Sequence, residues 1–120
     1  MSRDYRKLRV FVLADDLVLE VYRITTSFPA AERYGLQAQI RRAAISVATN
    51  IVEGSSRRST REYVNFLNIS VGSSAETQYL IDLSGRLMLI GEVAAREAFT
   101  RYGELLRGLQ KLISSLDPGQ

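Results

Sequence analysis

Long stretches without proline, with apolar residues at steps of three and four, constrain this chain more than any other feature. Its 120 residues contain only two prolines, Pro29 and Pro118. Helices can therefore run without interruption through most of the sequence between them. Apolar side chains at this spacing form one face of an amphipathic helix. The pattern predicts an all-α protein.

Four amphipathic helices are expected, at about residues 9–28, 36–53, 59–89 and 92–116. Pro29 ends the first helix, Gly54 closes the second, and the capping sequence Ser59-Thr-Arg-Glu62 opens the third. Short connections force neighbouring helices to run in opposite directions. We therefore expect an antiparallel up-down four-helix bundle, with residues 1–120 forming one domain.

The second helix carries a second apolar stripe that burial inside one bundle does not require. Its core stripe consists of Leu36, Ile40, Ala43, Val47 and Ile51. The further stripe recurs every seven residues on another face and consists of Ala38, Ile45 and Val52. A monomer would expose this stripe, so we expect it to form a subunit interface of a homo-oligomer. The small residues of 70–75 in the third helix allow a close approach, either within the bundle or between subunits.

The chain contains no cysteine and no histidine. This excludes disulfides, zinc fingers, Cys-His and Ser-His-Asp nucleophiles and Glu-x-x-His di-iron sites, because each needs a thiolate or an imidazole. The carboxylates that remain for acid–base or metal chemistry form no recognisable motif: Asp15, Asp16, Glu20, Glu53, Glu62 and Glu76. We therefore expect no enzymatic activity, no cofactor and no metal.

No apolar run approaches the roughly 20 residues of a membrane span or has the form of a signal peptide. The run after the basic N-terminus, residues 10–14, stops at Asp15 and Asp16. A soluble, cytoplasmic protein is expected.

Positive charge is concentrated in one part of the sequence. The formal net charge is only +3, but residues 33–61 hold six arginines and one glutamate, while residues 10–32 sum to −3. Arginine supplies 14 of the 16 positive charges, and its planar guanidinium suits phosphate, although GC-rich coding would give the same bias. The N-terminus adds a basic arm that either contacts phosphates or is a solvated, disordered terminus: Arg3, Arg6, Lys7 and Arg9.

Arg57, Arg58 and Arg61 surround the predicted start of the third helix. Unpaired backbone N–H groups and guanidinium groups converge there, so a phosphate of a nucleic-acid backbone would fit. The alternative is that Ser59 caps the helix and the arginines are solvated or pair with nearby glutamates. The segment lacks the Gly-Lys-Ser/Thr ending of a Walker motif, so nothing supports nucleotide hydrolysis.

Arg41 and Arg42 lie within the second helix and have two interpretations. They either pair with Glu53 or with Glu76 of the third helix, or form an electropositive surface. Arg42 also belongs to a polar strip in which the two outer charges would bracket a hydrogen-bonded network: Arg42, Ser46, Asn50 and Glu53.

Three tyrosines, Tyr5, Tyr34 and Tyr63, are possible stacking partners for bases. Each lies beside an apolar stripe, and a place in the core or in an interface is the favoured interpretation.

A long run of residues resembles a known family. The residues are Tyr34-Gly-Leu-Gln-Ala-Gln-Ile-Arg-Arg-Ala-Ala44, Ser46, Asn50-Ile51, Glu53-Gly54, Arg58, Ser59, Glu62, Asn65-Phe-Leu-Asn-Ile69, Gly72-Ser73 and Glu76. In these positions the chain resembles the four-helix-bundle family of 23S rRNA intervening-sequence proteins. With Phe28-Pro29 and the opening helix, the resemblance covers nearly the whole chain. One departure is Ala48, where the family often has proline.

The resemblance implies pentameric rings with a basic surface that binds nucleic acid, as in relatives that are accessory variability determinants of diversity-generating retroelements. It makes five arginines candidate phosphate contacts: Arg41, Arg42, Arg57, Arg58 and Arg61. Two functions remain open. One is a non-enzymatic, nucleic-acid-binding accessory protein, with RNA and DNA not distinguished. The other is an oligomeric protein–protein interaction scaffold whose arginines are structural.

Overall fold

The computed structural model describes residues 3–116, which fold into four α-helices with short connections. The helices are α1 (Arg9–Thr25), α2 (Leu36–Ser55), α3 (Thr60–Arg86) and α4 (Glu92–Leu116). Two single 3-10 turns, Tyr5–Lys7 and Ala30–Glu32, precede α1 and α2. No strand occurs in the described range, which confirms the all-α class. Pro118 and the end of the predicted 1–120 domain lie outside it.

The first helix ends three residues before the position that Pro29 predicts. Its last residue is Thr25, and the hydroxyls of Thr25 and Thr26 donate to the carbonyls of Val21 (2.7 Å) and Tyr22 (2.8 Å) in the preceding turn. Phe28 follows as a buried residue outside the helix. The helix thus ends before the residue next to Pro29, where the proline ring disfavours helical backbone.

The second helix continues past Gly54, which the sequence places at its end. Gly54 is a buried residue inside α2, and the helix ends at Ser55. A Cβ at Gly54 would stand 2.9 Å from Cβ of Phe66 and 3.0 Å from Cδ1 of Tyr63, both in the first turns of α3. Glycine is needed here for a close approach of two helices, and the prediction that it closes the helix is wrong.

The third helix begins as predicted. Ser59 is the N-cap, its Oγ accepts from the backbone N–H of Glu62 at 3.1 Å, and its hydroxyl donates to Oε1 of Glu62 at 3.2 Å. The Ser59–Glu62 capping pair therefore defines the start of α3.

At its other end α3 stops before the predicted Leu89, in a left-handed turn. Met88 has φ 60°, its N–H donates to the carbonyl of Gly85 at 3.0 Å, and Leu89 N–H donates to that of Ser84 at 2.9 Å. These two bonds form a Schellman motif. Glycine usually occupies the left-handed position of this motif, and here a methionine does.

All four helices contribute to one hydrophobic core. Helix α1 contacts α2 and α4, and α3 contacts the same two helices. The largest fully buried side chains include Leu17, Ile40, Ile51, Tyr63, Leu67, Ile81, Tyr102 and Leu105. Burial raises the pKa of the Tyr102 hydroxyl, so this side chain is neutral at physiological pH.

The middle of the core face of α3 is small, as its sequence predicts, and polar. Ser70 and Ser74 are fully buried, and Ser70 Oγ donates to the carbonyl of Val47 at 2.9 Å. Ala48 lies in the unbroken middle of α2, so the helix crosses the position where the family often has proline. Small residues thus serve a close contact between α2 and α3 within the chain.

We expect Gly54→Ala to lower the free energy of unfolding by about 1–3 kcal/mol, because the added methyl group overlaps two aromatic side chains. Urea denaturation followed by circular dichroism measures this change. The matched control is Gly103→Ala in α4, where the nearest atoms to a new Cβ are the ends of Gln78 (3.4 Å) and Arg107 (3.6 Å). This control should leave stability unchanged or raise it by up to about 1 kcal/mol. Equal effects of the two substitutions would contradict the close approach.

We expect Met88→Gly to raise the free energy of unfolding by up to about 1 kcal/mol, because glycine adopts the left-handed conformation without strain. Leu87→Gly is the control, since Leu87 has φ −81° and gains nothing from glycine. The same urea titration compares them. Destabilisation by both substitutions would rule out strain at Met88.

Candidate nucleic-acid interface

The connection between α2 and α3 is a tight turn that presents three arginines. The N–H groups of Ser56 and Arg57 donate to the carbonyls of Glu53 and Gly54, each at 3.1 Å. Arg57, Arg58 and Arg61 have exposed side chains. The structure therefore brings together these three of the five predicted phosphate contacts.

The N-terminal arm is fastened to the same turn by Arg3. Its guanidinium donates to the carbonyl of Arg57 at 3.1 Å and to Oγ1 of Thr60 at 3.4 Å. It also covers the ring of Tyr63, with Cζ 4.4 Å from the ring centroid. From Arg3 onward the arm is thus held in place, and the alternative of a disordered terminus does not apply to it.

Arg57 lies over a second ring of the same surface. Its Cζ lies 4.7 Å from the centroid of Phe66, which is half-buried. Tyr63 and Phe66 are three residues apart on α3, and both pack against Gly54. Two neighbouring aromatic rings therefore support two neighbouring guanidinium groups.

We call residues 3–9 and 53–62 together the basic end. These residues hold seven cationic side chains against three acidic ones, a formal charge of +4. Since the whole chain has a net charge of +3, the remaining residues sum to −1. Asp4 is one of the three acids, and its ion pair with Arg6 (3.1 Å) lowers the pKa of its carboxyl. The contact made by Arg3 joins two parts of the sequence into one concentration of positive charge.

Arg41 and Arg42 do not belong to the basic end. Arg42 lies thirteen positions before Ser55 in α2, which corresponds to about 20 Å along the helix axis. Arg41 instead binds the end of α1: Nε donates to Oγ1 of Thr25 at 2.9 Å, and Nη2 donates to the carbonyl of Tyr22 at 3.2 Å. The five predicted arginines therefore form two separate groups.

The expected ion pairs of Arg41 and Arg42 with Glu53 or Glu76 are not formed. Among residues 3–116, neither arginine has a carboxylate within 4.0 Å. Glu76 accepts a hydrogen bond from Gln39 Nε2 at 3.3 Å instead. The prediction is wrong because Arg41 finds its acceptors on α1, while Arg42 is exposed.

The polar strip of α2 forms a network only in its middle. Ser46 Oγ lies 2.8 Å from Ser73 Oγ on α3, and Asn50 Nδ2 donates to Ser46 at its carbonyl (2.8 Å) and its Oγ (3.1 Å). Arg42 and Glu53, expected to bracket this network, are exposed and take no part in it. The network links α2 to α3.

The predicted interface stripe lies partly in solvent. Ile45 is 37% exposed, and Ala38 and Val52 are half-buried. On α3, Ile69 is 50% exposed, and no described residue has an atom within 4 Å of a Cβ built on Gly72. The core of the chain thus leaves part of this stripe uncovered.

The three tyrosines have different environments. Tyr63 is buried in the core as expected, and burial raises its pKa. Tyr5 packs edge-on against Phe11, with ring centroids 4.7 Å apart. Tyr34 is 88% exposed, so for it the core interpretation is wrong.

Two features of the site are not evident from the sequence. Phe66 reads as an ordinary core residue, and its support of Arg57 depends on Gly54 of another helix. Arg3 is one of several N-terminal cations, and no pattern distinguishes it. The only signal in the sequence is the spacing of Gly54, which stands nine residues before Tyr63 and twelve before Phe66.

Residues 3–116 contain no group of three or more carboxylates arranged to hold a metal ion. In the same range, every helix is too short or too polar to cross a membrane.

Comparisons with known proteins agree on the fold and the family. The chain is similar to a protein of unknown function from the S23 ribosomal protein family of Bacteroides thetaiotaomicron VPI-5482, whose crystal structure it matches with a TM-score of 0.80. The two sequences are 21% identical, and the match covers 88% of this chain and 95% of that one. At this identity the likeness shows the fold. No curated protein sequence matches the chain.

The sequence model for the 23S rRNA-intervening sequence protein family matches residues 6–111, which include all four helices up to the last turn and a half of α4. The chain therefore belongs to the 23S rRNA-intervening sequence protein family.

Proposed function

We propose that this protein is a non-enzymatic, homo-oligomeric accessory protein that binds nucleic acid through its basic end. The observation that carries the proposal is the contact of Arg3 with the turn that bears Arg57, because it joins the N-terminal arm to the α2–α3 turn. A formal charge of +4 concentrated at one end attracts a polyanion to that end more strongly than scattered charges do.

The arginines of the basic end are available to a phosphate. Among residues 3–116, Arg57, Arg58 and Arg61 have no carboxylate within 4.0 Å. Arg86 and Arg96 near the α3–α4 connection are instead paired, with Asp82 at 2.9 Å and Glu92 at 3.0 Å. A phosphate that binds the unpaired arginines displaces no internal partner, so the full charge interaction favours binding.

We further propose an antiparallel bundle that assembles into a ring, with five subunits as the resemblance implies. The contacts of α2 with α3 support opposite directions, since Gln39 meets Glu76 and Val47 meets Ser70. The partly exposed stripe of Ala38, Ile45 and Val52 supports the subunit contact. Gly72 supports it too, because a glycine inside a helix costs about 1 kcal/mol relative to alanine and none of residues 3–116 fills its space.

A ring would strengthen binding by multiplying weak sites. Each basic end contributes a few phosphate contacts, and several copies on one particle bind the same strand at high effective concentration. Affinity should then fall steeply as salt concentration rises, because counterions are released on binding.

We expect the double substitution Arg57→Ala and Arg58→Ala to weaken binding of a labelled single-stranded RNA at least about tenfold and to reduce the dependence of affinity on salt. Fluorescence anisotropy over a salt series measures both. The matched control is Arg86→Ala with Arg96→Ala, which removes the same charge from the opposite end of α3 and the start of α4. Equal losses in the two double variants would contradict a site at the basic end.

We expect Ile45→Glu and Gly72→Leu each to reduce the mass of the particle measured by light scattering, because one places a charge and the other a bulky side chain in the proposed subunit contact. Gln110→Leu on the exposed face of α4 is the control and should leave the mass unchanged. If both interface variants keep the wild-type mass, the subunit contact lies elsewhere.

A second candidate function is an oligomeric scaffold for a protein partner. It is favoured by an apolar corner at the α3–α4 connection, where Leu87, Met88 and Val93 are 54%, 87% and 57% exposed. These residues adjoin a groove of about 770 Å³ that is lined in part by Ile90 and Phe99. The structural roles of Arg3 and Arg41 also fit it. The anisotropy series distinguishes the two functions, since a scaffold of this kind binds no nucleic acid even at low salt.

A further inference from the structure

We infer that Arg57 is a stacking platform for an unpaired base, and hence that the ligand of the basic end is a single-stranded nucleic acid. This inference rests on the proposed function and specifies its substrate class. It starts from a difference among the three arginines that lie over aromatic rings.

Three guanidinium groups cover rings at similar distances: Arg3 on Tyr63 (4.4 Å), Arg41 on Tyr22 (4.4 Å) and Arg57 on Phe66 (4.7 Å). The first two also use their N–H groups inside the chain. Arg3 donates to a carbonyl and a hydroxyl of the α2–α3 turn, and Arg41 donates to a hydroxyl and a carbonyl at the end of α1. Both arginines therefore have a structural role that accounts for their position.

Arg57 has no such role. Within residues 3–116, its guanidinium donates no hydrogen bond, forms no ion pair and is exposed. Five N–H donors thus remain free on a guanidinium group that lies over the ring of Phe66. The guanidinium of Arg57 lies over a ring, as those of Arg3 and Arg41 do, but its N–H groups donate no hydrogen bond to the described residues.

The position of Arg57 is fixed by its neighbours. Its backbone N–H donates to the carbonyl of Gly54 at 3.1 Å, and its own carbonyl accepts from Arg3 at 3.1 Å. Phe66 is held against α2 because Gly54 has no side chain. A guanidinium held over a ring loses less side-chain entropy on binding than a freely moving one.

A guanidinium plane that rests on a ring with one face can receive a base on the other. Aromatic rings and arginine planes both stack on bases, and the free N–H edge donates to a phosphate or to the edge of a base. The bases of a single strand are accessible for this contact, whereas those of a duplex are stacked on one another. Arg58 has no ring beneath it among the described residues, so it contributes charge alone.

The test compares two labelled strands of equal length and charge, one with its bases and one made only of abasic sites. Wild-type protein, Arg57→Lys and Arg58→Lys are titrated with each strand by fluorescence anisotropy. Lysine keeps the charge of arginine and loses its plane. Thermal unfolding of each variant verifies that the fold is retained, and Arg57→Gln, which keeps a planar end group without the charge, is a second variant.

We expect the wild type to bind the strand with bases at least about fivefold more tightly than the abasic strand. Arg57→Lys should lose this preference with little change in salt dependence, while Arg58→Lys should keep it. Arg57→Gln should reduce the salt dependence and retain part of the preference. An RNA and a DNA version of the strand with bases show whether the sugar contributes.

Three results would overturn the inference, and they have different consequences. Equal binding of both strands by the wild type would show that Arg57 acts only as a charge. Equal effects of Arg57→Lys and Arg58→Lys would show that Arg57 is no special platform for a base. The proposed function would stand in both cases. Absence of binding to either strand at low salt would remove the proposed function together with the inference.

Discussion

The close contact between the last turn of α2 and the first turns of α3 is the constraint on which the rest of the site depends. Gly54 leaves room for Phe66 and Tyr63 to lie against α2. These rings support Arg57 and Arg3, and Arg3 in turn holds the N-terminal arm on the α2–α3 turn. A larger residue at Gly54 would displace both rings and with them the two guanidinium groups. One missing side chain thus determines where two guanidinium groups of the basic end are placed.

Positive charge is concentrated at one end of the molecule, although the net charge of the chain is small. One end holds a formal charge of +4, while the rest of the chain is close to neutral. Near the α3–α4 connection the arginines are paired and apolar side chains are exposed instead. In a cyclic assembly of parallel subunits, the basic ends would lie on one face and the apolar corners on the other. The two candidate functions thus depend on different ends of the molecule.

Local patterns predicted the helices, and longer-range contacts account for what was missed. Helical periodicity located all four helices, and the Ser59–Glu62 cap fixed the start of α3, since both signals lie within a few residues. The sequence predicts a helix end at Gly54, because a glycine after an apolar stripe is typical of a helix end. Only the close contact with α3 shows that Gly54 instead lies inside α2. The partners of Arg41 lie sixteen and nineteen residues away on α1, beyond the reach of helical spacing. The sequence identified the cations of the basic end but not the contact made by Arg3 that unites them.

Photo-cross-linking tests directly whether nucleic acid binds at the basic end. A single-stranded RNA that carries 4-thiouridine is bound to the protein and irradiated, and the modified peptides are identified by mass spectrometry. We expect cross-links in residues 3–9 and 53–66, with few in the rest of the chain. Cross-links concentrated in residues 82–101, or spread evenly along the chain, would contradict it.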